Sequence, residues 1–476
     1  MEYDVVIGLE IHVELQTFSK MFCGCTTAFG LKPNTSCCPI CLGLPGTLPV
    51  FNRRAIELAV TAALALNSEI QRESRFDRKN YFYPDLPKAY QISQYDHPLA
   101  KGGYLDLDYE GTKRRINLER IHLEEEAGKL LHAGDSIMES SYSFVDYNRA
   151  GIPLLEIVTA PELHSGKEAR LFLENLRTLL LYCGASDCKM EEGSLRCDAN
   201  ISLRPAGYEM LGTKAEVKNM NSFRSVEMAL NYEAKRQESI LVGGGQISQE
   251  TCHWDEENKV TYPLRSKEGS SDYRYFPEPD LLPLILDSSF IEAIKAGLPE
   301  LPAQRHSRMM QEYGLEKDEA DLFITNSLLG NFFEAAAADY KNYNQLSRWV
   351  QGDFLYQLRE SGRKPDEVNA NLLVELLTLL DEEIINRPTA KELLVELIKN
   401  GSSPREAVEN RSLGRISGEE KLLPLVEQVI ADNPEAVKNY RLGKEKALAY
   451  LVGQVMARTR GRADPIEVTS LLKKKI

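Results

Sequence analysis

Glu10, His12 and Glu14 stand at every second position of the run Val5 to Leu15. That alternation is the period of a β-strand, so Leu9, Ile11, Val13 and Leu15 face one way and the three polar side chains the other. Two carboxylates and an imidazole on one face can hold a divalent cation, or they can simply face water as the outer side of a sheet does. Cys23, Cys25, Cys38 and Cys41 form a second group, a Cys-x-Cys and a Cys-x-x-Cys pair with twelve residues between them. This spacing closes a tetrahedral zinc site, and four sulfurs leave no open position, so the expected role is structural. Cys37 is a spare neighbour of that set. Cys183, Cys188, Cys197 and Cys252 lack such pairing and read as ordinary buried thiols.

Further charged segments lie downstream. Glu124, Glu125 and Glu126 are consecutive carboxylates at the end of a strand pattern, and their repulsion calls for solvent or a cation. Glu156 lies in the apolar run Ile152 to Val158, where an unpaired carboxylate is costly, so a cation must accompany it. Arg196, Asp198 and Asn200 share one face of another alternating segment. Lys79 and Lys88 flank Tyr81, Phe82 and Tyr83, a combination that suits phosphates and a stacked base, or else a packed turn. The chain has no Gly-x-x-x-x-Gly-Lys-Ser/Thr loop and no protein-kinase signature, so nucleotide chemistry would use another kind of site.

These groups need elements to position them. Tyr104–Tyr109, Arg114–Glu126 and Ser194–Leu203 read as strands, while Arg53–Leu66, Ser165–Cys183 and Ser222–Val242 read as helices. Ser165 with Glu168 has capping-box spacing, and Gly184 and Gly243 to Gly245 are helix stops. Few helices among many strands predict an α+β domain with a largely antiparallel sheet. Beyond the linker around Pro299 and Pro302 the pattern becomes helical. Starts are predicted at Thr389 and at Ser403 with Pro404, apolar helical stretches at Ala335–Ala338 and Leu372–Leu380, and a break at Leu413–Ser417. We expect three domains, 1–293, 294–410 and 411–476, as suits a chain of 476 residues.

Composition is that of an ordinary globular protein. The start Met-Glu-Tyr-Asp lacks the basic and apolar segments of a signal peptide, no apolar run reaches a membrane span, and cysteine usage suits a reducing compartment. A cytoplasmic location without membrane contact is therefore expected. The net charge of −14 excludes general wrapping in nucleic acid. From Arg441 onward, however, nine Lys/Arg stand against three acidic residues, which suits one local contact with a polyanion, or a solvated helical end.

Taken together, the chain resembles the B subunits of aspartyl/glutamyl-tRNA amidotransferases along essentially its whole length. The resemblance is carried by Ile7-Gly-Leu-Glu-Ile-His-Val-Glu-Leu15, Arg78-Lys-Asn-Tyr-Phe-Tyr-Pro-Asp85, Lys88-Ala-Tyr-Gln-Ile-Ser-Gln94, His122-Leu-Glu-Glu-Glu-Ala-Gly-Lys129, Glu191 to Ser202, Asp272 to Asp280 and Leu451 to Met456. It implies a cradle-shaped α+β domain followed by an all-helical domain and a helical tail that holds the tRNA body. It implies ATP-dependent phosphorylation of glutamyl-tRNA(Gln) or aspartyl-tRNA(Asn), with ammonia delivered from the glutaminase (the A subunit) and the small C subunit wrapping both.

On that resemblance the metal ligands are His12, Glu125 and Glu156, for magnesium; its preference for oxygen leaves manganese as an alternative in vitro. Glu10 is a neighbouring or water-mediated ligand, and Lys79, Lys88 and Arg196 meet phosphate or substrate charge. Cys23, Cys25, Cys38 and Cys41 match the family's structural zinc ligands, and Arg458, Arg460 and Arg462 are assigned to tRNA. Two other readings compete: a non-catalytic tRNA-binding adaptor, and a stand-alone metal-dependent hydrolase that needs no ATP.

Overall fold

The computed structural model describes residues 2–132, 142–266, 273–411, 413–416, 418–459 and 461–476. The chain divides into two compact units, Met1–Pro302 and Ala303–Ile476. The first is built on one ten-stranded sheet among the described residues. Its order is Val260–Ser266, Glu250–Asp255, Ala215–Lys218, Leu195–Pro205, Tyr3–Glu14, Pro153–Thr159, Thr112–Glu125, Ala100–Lys101 and Glu69–Ile70, with Tyr104–Tyr109 paired to Thr112–Glu125. Every pairing is antiparallel except that of Ala215–Lys218 with Glu250–Asp255. The expected α+β class with a largely antiparallel sheet is what the chain forms.

Tyr3–Glu14 runs through the middle of this sheet. The alternation in its sequence becomes two faces: Ile7, Leu9, Ile11 and Val13 are fully buried, together with Ile121, Leu123, Leu155, Ile157, Leu195, Ala199 and Ile201 from neighbouring strands. Each large aliphatic side chain so removed from water contributes roughly 1.5–3 kcal/mol. Helices Arg53–Ala65, Gly166–Tyr182 and Phe223–Val242 share that core through residues such as Leu58, Phe172, Leu176 and Val226. Their starts follow from side chains that cap: Asn52 accepts from the backbone N–H of Ala55, Ser165 from that of Glu168, and Ser222 from that of Ser225. Glu168 does not complete the capping box; its carboxylate takes the His164 N–H and Arg114 instead. The opposite face of the sheet is left polar.

A separate three-stranded sheet, Phe276–Pro277, Asp77–Asn80 and Tyr90–Ser93, carries the lysine-rich segment. Arg78 is clamped there by both oxygens of Glu278, each at 2.7 Å, and stacks on Tyr90. Alternation therefore turns Lys79 to the other side.

In the second unit every extended element among the described residues is a helix, from Pro302–Tyr313 to Pro465–Lys475. It has two apolar cores, one around Phe323, Phe333, Phe354 and Leu377, the other around Val426, Leu451 and Val468. The helix predicted to start at Thr389 begins earlier, at Arg387, because Asn386 rather than Thr389 caps it and Pro388 fits the first turn. Ser403 does cap the helix Pro404–Arg411, by accepting from Glu406 N–H. Among the described residues no helix is long and apolar enough to cross a membrane.

Candidate functional site

The polar face of the sheet gathers side chains from four strands. In register, His12 lies opposite Glu156 on one side and Arg196 on the other, and Glu156 in turn lies opposite His122. Cross-strand neighbours on one face approach within about 5 Å at Cβ, so these groups must interact. His12 Nε2 stands 3.3 Å from Glu156 Oε2 and 3.7 Å from Glu124 Oε1. His122 Nε2 lies 3.1 Å from the same Glu156 oxygen and 3.8 Å from Glu124 Oε2. Glu124 and Glu156 are buried and His12 is half-buried. Ser93 donates to Glu124 Oε2 at 3.1 Å.

Burial opposes every charge in this group, yet opposite charges prevail. The Glu156 carboxyl is held well below its usual range by His122 and His12, and Glu124 is lowered by His122, Lys79 and His12. In return Glu156 and Glu124 raise His12, and bring His122 up to about 9. Lys79, beside Tyr273, is held above its ordinary value by Glu124, Tyr275 and Glu156 despite its own burial. One ligand atom each from His12, Glu124 and Glu156 can lie within 4.8 Å of one another. Two carboxylate oxygens and an imidazole nitrogen suit a divalent cation with coordination positions to spare.

Glu124, not the expected Glu125, thus joins His12 and Glu156. Strand alternation is the reason: in Thr112–Glu125 the even positions His122 and Glu124 share the polar face, and Glu125 points the other way. Glu125 instead accepts from Ile92 N–H at 2.9 Å and from Lys88 Nζ. That pair borders a cavity of about 190 Å³ whose lining includes Lys20, Cys41, Gly43 and Tyr90. Gly43 has a φ of +65°, and a Cβ there would lie 2.2 Å from Lys88 Cγ, so only glycine leaves the lysine its path.

The remaining expected residues are spread along the same polar face. Glu10 accepts from Asn200 at 2.9 Å, opposite Asp198, and is one alternation away from His12. Arg196 pairs with Glu126, which also meets Arg149 at 3.3 Å; Arg149 in addition donates to Glu14 at 2.6 Å. His122 and Arg149 are contributors that residue patterns alone had not singled out. A signal for His122 was present, since His122, Glu124 and Glu126 repeat the alternation of Glu10, His12 and Glu14.

The cysteine loop forms a second centre. One sulfur each from Cys23, Cys25, Cys38 and Cys41 lies within 4.8 Å of the others, while Cys37 faces Asn148. The hydrogen bond between Cys23 and Cys41 pushes the Cys41 thiol down and the Cys23 thiol up, and burial raises Cys25 to about 11. Four soft donors in this arrangement fit a tetrahedral zinc ion.

In the C-terminal region Arg458 pairs with Asp432, and Arg462 donates to the Thr459 carbonyl at 3.1 Å. Arg460 lies outside the described residues. Lys474 and Lys475 meet Glu419 and Glu427, each at 2.9 Å, so part of the basic charge is balanced locally.

Comparison with known proteins follows the same division of the chain. Residues 5–292 match the family model described as the GatB/GatE catalytic domain, and residues 331–476 match that described as the GatB domain. A protein of Moorella thermoacetica is 51% identical over 478 residues, covering all of both chains. One of Carboxydothermus hydrogenoformans is 50% identical over 477 residues, all of this chain and 99% of the relative. One of Thermodesulfovibrio yellowstonii is 47% identical over 476 residues, with the same coverage. All three bear the name of the B subunit of aspartyl/glutamyl-tRNA(Asn/Gln) amidotransferase.

Proposed function

Because the chain belongs to the GatB family of amidotransferase B subunits, we propose that it uses ATP to phosphorylate the side-chain carboxylate of glutamyl-tRNA(Gln) or aspartyl-tRNA(Asn). Ammonia from the glutaminase, the A subunit, then converts the product to the amide, and the small C subunit completes a heterotrimer. This is the work of a carbon–nitrogen ligase with glutamine as amido donor. The observation that carries the reading is the His12–Glu124–Glu156 group on one sheet face with Lys79 beside it.

The chemistry needs activation. A carboxylate resists amidation because oxide would have to leave. A carboxylate oxygen therefore attacks the γ-phosphorus of ATP, the bond to ADP breaks, and an acyl phosphate forms. Ammonia adds to its carbonyl carbon, the C–O bond to phosphate breaks, and inorganic phosphate leaves as nitrogen loses a proton. His12, Glu124 and Glu156 would hold a magnesium ion, or manganese in vitro, which supplies charge neutralisation for the phosphates.

Lys79 is the side chain we assign to the transferring phosphoryl group. Lys88 and Arg196 each already face a carboxylate, and we assign Lys88 to holding Glu125 at the neighbouring cavity and Arg196 to orienting Glu126 on the polar face. Glu10, tied to Asn200, would order the adjacent stretch of the polar face. Cys23, Cys25, Cys38 and Cys41 would hold a structural zinc ion. The three-domain division at 293 and 410 belongs to the same proposal, with Arg458, Arg460 and Arg462 of the last domain meeting the tRNA backbone.

Glu124→Gln in the reconstituted heterotrimer tests the reading. Glutamyl-tRNA(Gln)-dependent ADP formation should be lost while tRNA binding, followed by filter retention, is kept. Unchanged ADP formation would overturn it.

A further inference from the structure

Lys20 is fully buried, which a lysine tolerates only with partners for its charge. Its ammonium group donates to the carbonyls of Ser36 at 2.7 Å and Tyr147 at 3.3 Å, and lies 3.8 Å from Cys41 Sγ. Two of those three acceptors belong to the cysteine loop, and the third to a distant segment. The backbone on both sides of Lys20 is also engaged, Lys20 N–H with the Cys25 carbonyl at 2.9 Å and Met21 N–H with the Gly151 carbonyl at 2.7 Å.

The distant segment is bound to the cysteine loop by other contacts too. Asn34 donates to the Val145 carbonyl at 2.9 Å and accepts from Tyr147 N–H at 2.8 Å, while Ser36 N–H donates to Asn148 Oδ1 at 2.8 Å. Two residues beyond Tyr147 comes Arg149, the side chain that meets Glu14 and Glu126 on the polar face. Gly151 N–H donates to the Glu126 carbonyl at 2.8 Å. The cysteine loop, residues 145–151 and the edge of the carboxylate face thus form one continuous hydrogen-bonded path.

A divalent ion on four thiolates carries a net charge of −2, and burying it calls for a counter-charge. We propose that Lys20 is that counter-charge, and that through it and the Asn34 and Ser36 contacts metal occupancy fixes residues 145–151 and with them the position of Arg149. The proposal rests on the zinc reading given above. Lys20 is a positioning residue in this scheme, since it touches metal ligands and a loop but no substrate.

The test uses the full-length chain reconstituted with zinc and compares Lys20→Met and Lys20→Arg with the unaltered protein. Loss of an outer partner typically costs 10- to 100-fold in metal affinity, so Lys20→Met should release zinc to a chromophoric chelator at least ~10-fold faster, with Lys20→Arg in between. Zinc removal from the unaltered chain should speed amide exchange at Tyr147 and Gly151 several-fold while leaving Leu9, Ile11 and Val13 unchanged. That second measurement stands even if Lys20→Met fails to fold. A wild-type release rate in Lys20→Met overturns the Lys20 assignment, and unchanged exchange at 147–151 overturns the coupling. Failure of the unaltered chain to bind one zinc per chain overturns the tetrathiolate reading and this proposal with it.

Discussion

The two ligand clusters of the first unit are built in opposite ways. The four cysteines fall within nineteen positions of sequence, Cys23 to Cys41, in a segment with little regular structure. His12, Glu124 and Glu156 come from three strands far apart in sequence and meet only because strand register sets them side by side. A cluster of the first kind would draw on a bound metal to hold its loop. One of the second kind receives its geometry from the apolar face beneath it. Removing a ligand should therefore unsettle structure in one case and chemistry in the other.

The sharpest way to break this contrast is on the sheet. His12→Ala or Glu156→Gln should lower tRNA-dependent ADP formation by roughly 100- to 1,000-fold, as loss of a group that stabilises transition-state charge does. Differential scanning fluorimetry should show a smaller fall in melting temperature than loss of a zinc ligand gives, since the rest of this buried charge group stays paired. A collapse in stability would mean the sheet face is structural. Next in size, Cys38→Ser should abolish stoichiometric zinc, measured by inductively coupled plasma mass spectrometry, and cost several kcal/mol, a fall of roughly 5–10 °C in melting temperature. A melting point equal to wild type would erase the difference between the clusters.

His122→Gln probes the layer behind the ligands, since His122 bonds the Glu156 oxygen that also faces His12. Manganese affinity, followed by electron paramagnetic resonance, should fall about 10-fold or more, with tRNA binding unchanged. The smallest effect should come from Arg458→Ala with Arg462→Ala. The Michaelis constant for tRNA should rise a few-fold and the slope of log K against log salt should shrink by less than two, because Arg458 already has Asp432 as partner. An unchanged slope would mark this end of the chain as merely solvated.

How far sequence reaches also differs between the clusters. Cys23, Cys25, Cys38 and Cys41 are legible because their spacing is local. The His12 face is legible because alternation repeats over the whole strand. What alternation alone left open was which strands flank it, and so whether Glu124 or Glu125 meets His12. Parity in Thr112–Glu125 does not carry through, because Ile116 and Leu118 face the core at even positions and Ile121 and Leu123 at odd ones, across a register shift opposite Val158 and Thr159. The pairing of Lys88 with Glu125 and of Arg196 with Glu126 joins residues 37 and 70 positions apart, and no local pattern encodes such encounters. Lys20 is a plainer case: between Ser19 and Met21 no local pattern gives a lysine its partners, and only the fold closes over it.

The central place of Tyr3–Glu14 bears on how this family can vary. The strand is paired on both sides, over Tyr3 to Val13 with one neighbour and Glu10 to Glu14 with the other. Inserting or deleting a single residue would exchange its two faces at once, sending Glu10 and His12 toward the core and Leu9 and Ile11 to the ligand side. Substitutions can be tried one at a time along this strand, whereas a change in its length offers no intermediate, and lineages should differ here in residue identity while keeping the spacing of the strand fixed.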